Sequence, residues 1–275
     1  VQAKYQTVYC HCPIPFYNLK LIDIYHEPSS LVRNLLYNFI YKLNIYKNDS
    51  VIVQQEWLRK KFEKITNHKN IIVARPVIKQ KKLSNETKLN KKIIFIYPTL
   101  PRFHKNIELI CEAIKLIDTK VVPNFEVKIT IKGNENRYAS ILKKKYSLIK
   151  QIKFIGNQSR GQMKKLYSKA NALIFPSKLE TWGLPISEAI DYKIPIMVAK
   201  LEYARETLGS YKKVSFFQHD SPNELSEQMK NFLHKKWKPS KFKKVSPKKP
   251  LANDWNGLWD IIRSEYKEKN AIYKK

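Results

Sequence analysis

Glycine is scarce, with 6 in 275 residues and none in the first 78. That is below average usage, so each glycine present marks a position worth explaining. Cysteine is limited to Cys10, Cys12 and Cys111. The Cys-x-Cys pair has no second pair to complete four ligands, which excludes a zinc site of that kind, and three cysteines do not make a disulfide framework. No apolar run reaches 18 residues and no signal peptide opens the chain, so a soluble, cytoplasmic protein is expected. Acids are few: 23 against 53 basic residues leave a net charge of +30. Such a balance favours anionic surfaces, whether lipid headgroups, nucleic acid or a polyphosphate ligand, though much of the excess is lysine in polar stretches. The first residue is Val rather than Met, which reads either as an unusual start codon or, in preference, as a fragment.

What is there is a globular α/β chain, 43% hydrophobic. The order of apolar runs and amphipathic stretches predicts strands at 5–13, 19–25, 50–54 and 71–74. Helices are expected at about 29–47 and 56–66. After a lysine-rich linker at 79–92, a second β/α series starts with a strand at 93–97 and a helix at 107–117. Strands at 127–132, 152–155, 172–175 and 196–199 follow, with helices between them at about 138–148, 161–170 and 186–192. This order is that of two parallel sheets covered by helices. The domains expected are therefore 1–78, 93–233, a basic linker at 234–252 and a C-terminal helix at 253–275.

The stretch Phe175-Pro-Ser-Lys-Leu-Glu-Thr-Trp-Gly-Leu-Pro-Ile-Ser-Glu-Ala189 carries the chemistry. A strand stops at Pro176, a loop holds Glu180 and Gly183, and a helix begins near Pro185, where a missing N–H costs nothing. A helix N-terminus beyond a parallel strand offers free amides and partial positive charge to a phosphate. Gly183 lets a ligand approach the backbone, and the amides of Gly183 and Leu184 face the phosphate end. Glu180 and Glu188 only accept hydrogen bonds, so beside a phosphate they suit hydroxyls. Phosphates between hydroxyl-rich groups describe a nucleotide sugar.

This run, with its two glutamates eight apart, resembles the E-x7-E signature of glycosyltransferase family 4. The resemblance covers most of the chain. It implies a retaining GT-B enzyme with two Rossmann-like domains, the N-terminal one truncated here because its Gly-rich loop is missing. It also implies that Glu180 contacts the transferred sugar and Glu188 the ribose, with Thr181 and Trp182 in the same loop. In the loop 101–106, Lys105 matches the family lysine for the donor diphosphate. The partner arginine is absent where Leu100 stands, and Arg102 is the substitute. His26 stands where the family places a functional histidine, with His11 and Glu27 as weaker candidates. Gly133 and Gly156, at strand ends, are candidates for reading the base.

No Asp-x-Asp occurs, so the carboxylate pair of a metal-dependent GT-A enzyme is missing and no metal or other cofactor is expected. The expected partners are a nucleotide sugar and a glycan or lipid-linked acceptor in surface polysaccharide synthesis. The segment 234–250 holds eight lysines, no acid, and Trp237 and Phe242, and is read as a candidate contact with anionic membrane. Two other readings stand beside this one. A non-catalytic remnant would bind nucleotide only, and a basic nucleic-acid-binding protein would lack any recognised motif, so no nucleic acid is expected.

Overall fold

A computed structural model describes residues 3–43, 45–77 and 92–272. Its strands and helices, in chain order, are β1 (Thr7–Tyr9), α1 (Leu21–His26), α2 (Ser29–Lys42), β2 (Ser50–Val53), α3 (Glu56–Thr66), β3 (Ile71–Ala74), β4 (Ile93–Tyr97), α4 (Ile107–Lys115), β5 (Phe125–Ile129), α5 (Arg137–Tyr146), β6 (Ile152–Phe154), α6 (Arg160–Lys169), β7 (Ala172–Phe175), α7 (Leu184–Asp191), β8 (Ile196–Ala199), α8 (Glu202–Leu208), β9 (Val214–Phe217), α9 (Pro222–Leu233), β10 (Leu251–Ala252) and α10 (Trp255–Ile272). The chain divides into two compact units. Of the linker expected at 79–92, all but Lys92 lies outside the described residues.

The first unit comprises residues 1–18, 29–79 and 245–275. Its sheet runs β1-β2-β3-β10 with every pairing parallel. Side-chain alternation sorts the core onto two faces. Val51, Val53, Ile71 and Val73 join Leu58 and Phe62 of α3, while Ile52, Ile72 and Ala74 meet Ala252 and Leu258 from the C-terminal segment. The sheet therefore takes its edge strand from the far end of the sequence.

The second unit comprises residues 19–28 and 80–244. Its parallel sheet runs β6-β5-β4-β7-β8-β9. The strands are near-continuous apolar runs because helices cover both faces. Phe95, Ile96 and Tyr97 on β4 and Leu173, Ile174 and Phe175 on β7 are essentially inaccessible. The order reverses between β4 and β7, which places a topological switch point there, and in such sheets ligands bind outside the carboxyl ends of the strands at that point.

Several expectations need correction. Residues 19–25 form no strand: α1 occupies Leu21–His26, because the buried Asp23 carboxylate accepts the Lys20 N–H at 2.9 Å and caps a helix start. That segment clusters with the second unit, so 1–78 is not one domain. Helix α2 ends at Lys42 rather than near 47, before a separate turn of 3-10 helix at Ile45–Lys47. The segment 234–252 is not a free linker: its first part clusters with the second unit and its end forms β10. Trp237 donates to Ser215 Oγ at 2.9 Å and packs on Phe232, and Phe242 packs edge-on against Phe216. Both rings are thus engaged with their own unit. Strand β9 and helices α8 and α9 complete the second unit beyond the stretches read from the sequence.

Candidate active site

Two loops meet at the switch point of the second unit. One follows β4 and the other follows β7, and a main-chain bond joins them: Lys178 N–H donates to the His104 carbonyl at 2.7 Å. The Ser177 hydroxyl donates to the Leu179 carbonyl at 3.1 Å, tightening the second loop on itself. Tyr97, buried at the end of β4, donates to the Lys105 carbonyl at 2.7 Å. Tyr203 of α8 donates to the Ser177 carbonyl at 2.7 Å. Burial pushes both phenols well above their usual range, so they stay donors.

The frame brings Lys105 and Glu180 together, 75 residues apart in sequence, with Nζ 2.6 Å from Oε1. Their side chains are 19% and 13% exposed, so the pair is sheltered yet reachable. Asn106, missed in the sequence reading, ties the β4 loop to the β7 loop and to the turn after β9. It is 3% exposed and left-handed (φ 57°), and its amide donates to the Pro176 carbonyl at 3.1 Å and the His219 carbonyl at 2.7 Å. The signal was present, since asparagine tolerates that backbone region better than other non-glycine residues. Asn106→Ala leaves two sheltered carbonyls without that donor and holds in the left-handed region a residue that tolerates it less well than asparagine. We expect about 3 kcal/mol of lost stability, read as a lower urea midpoint with unchanged slope. Asn106→Gly should recover only the backbone part.

Gly183 caps α7 at φ 82°, and a Cβ there would stand 3.2 Å from Ile186 Cδ1 and 3.5 Å from Phe175 Cε1. Glycine is thus required by conformation and by space. Leu184 opens the helix and is exposed, and Thr181 is half-buried in the loop. Trp182 turns inward, 8% exposed, with its indole N–H on Ser187 Oγ at 3.0 Å and its carbonyl accepting the Thr207 hydroxyl, so its indole is not presented to a ligand. Glu188 lies in the second turn of α7, because the helix begins at Leu184. Its carboxylate accepts the Tyr167 hydroxyl at 2.7 Å, and Tyr167 stacks on Tyr192. Burial and the neighbouring Glu188 charge push that hydroxyl well above its usual range.

The other candidates fall elsewhere. Arg102 is paired with Glu27, joining the β4 loop to the end of α1. His26 ends α1 rather than a strand, its ring 5.2 Å from that of Tyr138. Burial lowers its pKa against the pull of Glu108 and Asp23. Gly133 (φ 93°) has no room for a Cβ, which would lie 2.6 Å from Lys143 Cδ. The amides of Lys132, Gly133 and Asn134 all donate to the Glu135 carboxylate. Burial raises that carboxyl's pKa, but these amides outweigh it and the net shift is downward. At Gly156 (φ 72°) a Cβ would make only an ordinary contact, 3.9 Å from Lys132 Cβ, and the Gly156 amide donates to the Ile131 carbonyl.

In the first unit His11 lines a cavity of about 360 Å³ with Tyr9, Gln54, Arg75 and Trp255, beyond the carboxyl ends of β1, β2 and β3. The Tyr9 ring is 6.0 Å from His11 and 6.5 Å from Trp255. Gln54 is 7% exposed, its amide nitrogen 3.4 Å from His11 Nδ1 and its Oε1 buried without a hydrogen-bond partner among the described residues.

The Glycosyl transferases group 1 family profile matches residues 77–249. The chain is 25% identical over 209 residues to the O-antigen chain mannosyltransferase RfbU of Salmonella typhimurium, covering 74% of this chain and 54% of RfbU. It therefore spans about half the length of that relative. Among solved structures it resembles WaaG, a glycosyltransferase involved in lipopolysaccharide biosynthesis, with a TM-score of 0.63 and 14% identity over 84% of this chain and 67% of WaaG. S. aureus TarM, solved with UDP, gives 0.63 and 16% over 84% of this chain and 44% of TarM. The fold is the GT-B type of those enzymes, and with its profile spanning 173 residues (77–249) the chain belongs to the Glycosyl transferases group 1 family.

Proposed function

We propose that the chain is a retaining, metal-independent glycosyltransferase of family 4 that acts in surface polysaccharide synthesis at the cytoplasmic face. Its second unit takes the nucleotide-sugar donor and its first unit the glycan or lipid-linked acceptor. The observation that carries this reading is the Lys105–Glu180 pair at 2.6 Å beside the Gly183 opening of α7, at the switch point of a parallel sheet. Lys105 and the amides of α7 supply positive charge to a leaving diphosphate without a metal ion. Glu180 accepts from the transferred sugar's hydroxyls. Glu188, aimed by Tyr167, accepts from the ribose. The cavity around His11 and Trp255, an aromatic platform with a buried amide acceptor, suits a sugar ring on the acceptor side.

Calorimetric titration with UDP, GDP, ADP and CMP tests the donor assignment. One diphosphate should bind selectively, and Glu188→Gln should weaken it by roughly tenfold through the lost charge-assisted bonds. No binding by any of the four would remove the donor site from this reading.

A further inference from the structure

The loop between β7 and α7 has its carbonyls held by side chains from beneath. Pro176 accepts from Asn106, Leu179 from the Ser177 hydroxyl, and Ser177 and Trp182 from two residues of α8. Those two are Tyr203 and Thr207, four apart and therefore on one face of their helix. They are 2% and 7% exposed. Tyr203 donates to the Ser177 carbonyl at 2.7 Å, and its ring packs edge-on against Phe175 at the end of β7. Thr207 donates to the Trp182 carbonyl, with the Tyr203 carbonyl one turn back also in reach at 3.0 Å. Helix α8 thus grips the loop on both sides of Glu180.

A trans peptide unit is a plane in which the C=O and the following N–H point opposite ways. Thr207 on the Trp182 carbonyl therefore turns the Gly183 N–H away from α8. The Ser177 hydroxyl on the Leu179 carbonyl directs the Glu180 N–H by the same constraint. Neither amide meets an acceptor among the described residues. Tyr203 on the Ser177 carbonyl likewise aims the Lys178 N–H, and that one lands on the His104 carbonyl of the β4 loop. The two hydroxyls of α8 set which way the loop's donors point and keep Glu180 where Lys105 meets it. We propose that Tyr203 and Thr207 are positioning residues for the donor. Thr207 presents the Gly183 amide to the diphosphate, and Tyr203 locks the loop that carries Glu180. This role rests on the donor site assigned to the second unit, and both residues are too deeply buried to touch the donor themselves.

Tyr203→Phe and Thr207→Val test it, since each removes one hydroxyl and keeps the shape of the side chain. In titrations with UDP, GDP and ADP, each should lose roughly five- to tenfold in affinity for the diphosphate that wild type binds. Thr207→Ser, which keeps the hydroxyl, should stay within about twofold of wild type. Ser215→Ala is the comparison for stability alone. It removes a buried hydroxyl of β9 that bonds Gln228 and Trp237, and should lower the urea midpoint without changing nucleotide affinity. Hydrogen exchange of the ligand-free protein gives a measure that needs no nucleotide. The Lys178 amide and the Trp182 indole should exchange faster in Tyr203→Phe and Thr207→Val, while the amides of β8 keep wild-type rates. Wild-type affinity in both variants would overturn the positioning role, as would a loss in Thr207→Ser or Ser215→Ala equal to that in Thr207→Val. A wild-type chain that binds none of the three diphosphates, with loop exchange altered as expected, would instead overturn the donor site itself and the role of α8 in it.

Discussion

Lys105→Ala should reduce affinity for a nucleoside diphosphate, and sugar transfer with it, by about 100- to 1000-fold, the scale of losing one aimed charge from a preorganised anion site. The reason lies in how the lysine is held. Its carbonyl is fixed by Tyr97, the next residue is the two-armed Asn106, and its ammonium is aimed by Glu180 at 2.6 Å. Little reorganisation is left to be made when a diphosphate arrives. Lys105→Arg keeps the charge but replaces a compact ammonium with a planar fork in a half-buried slot, so it should rescue only part of the loss. In a double-mutant cycle with Glu180→Gln the two changes should be non-additive, because each removes the same pair. Additive effects, or diphosphate binding by Lys105→Ala equal to wild type, would mean that the pair serves only to join the loops.

The largest expected effect on stability is at Arg59. Its guanidinium is buried in the first unit, 3.1 Å from Glu56, and donates to the carbonyls of Lys248 and Pro250. The two side chains are 5% and 8% exposed. Glu56 in turn accepts the Lys248 N–H at 3.3 Å. The pair thus clasps the returning C-terminal segment just before β10 adds to β3, where Val73 N–H donates to the Pro250 carbonyl. Arg59→Ala removes the cation beside a buried carboxylate and leaves the Lys248 carbonyl without that donor, and should cost about 3–5 kcal/mol. Adding Glu56→Gln should restore part of that by removing the uncompensated charge. Hydrogen exchange should speed up first at Leu251, Ala252 and the start of α10 in Arg59→Ala. A urea-derived loss below about 1 kcal/mol would show that the apolar contacts of Ala252 and Leu258 hold the segment by themselves.

Much of the architecture was legible because parallel sheets write themselves as short apolar runs. Ile71–Ala74, Ile93–Tyr97, Ala172–Phe175 and Ile196–Ala199 begin and end where the sequence pattern placed them. The first correction came where that rule has no purchase. Residues 19–25 are apolar enough for a strand, yet Leu21 is 87% exposed and the buried Asp23 cap decides for helix. Helix α2 illustrates the same limit from the other side. Periodicity announced the helix but is blind to which side meets the protein, and here the polar side does.

The candidate site divides in the same way. Residue types and local spacing were enough to single out Lys105, Glu180, Gly183 and Glu188, because a glycine at a helix start and acceptors beside an anion site are constrained by chemistry within one loop. Only the tertiary structure decided their partners: Lys105 with Glu180, Glu188 with Tyr167, Arg102 with Glu27, and Arg59 with the far end of the chain. Backbone propensity and side-chain periodicity act over a few residues and are written locally. A hydrogen bond across 75 or 189 positions depends on which strands the sheet sets side by side, and sheet order is settled by the packing of the whole unit.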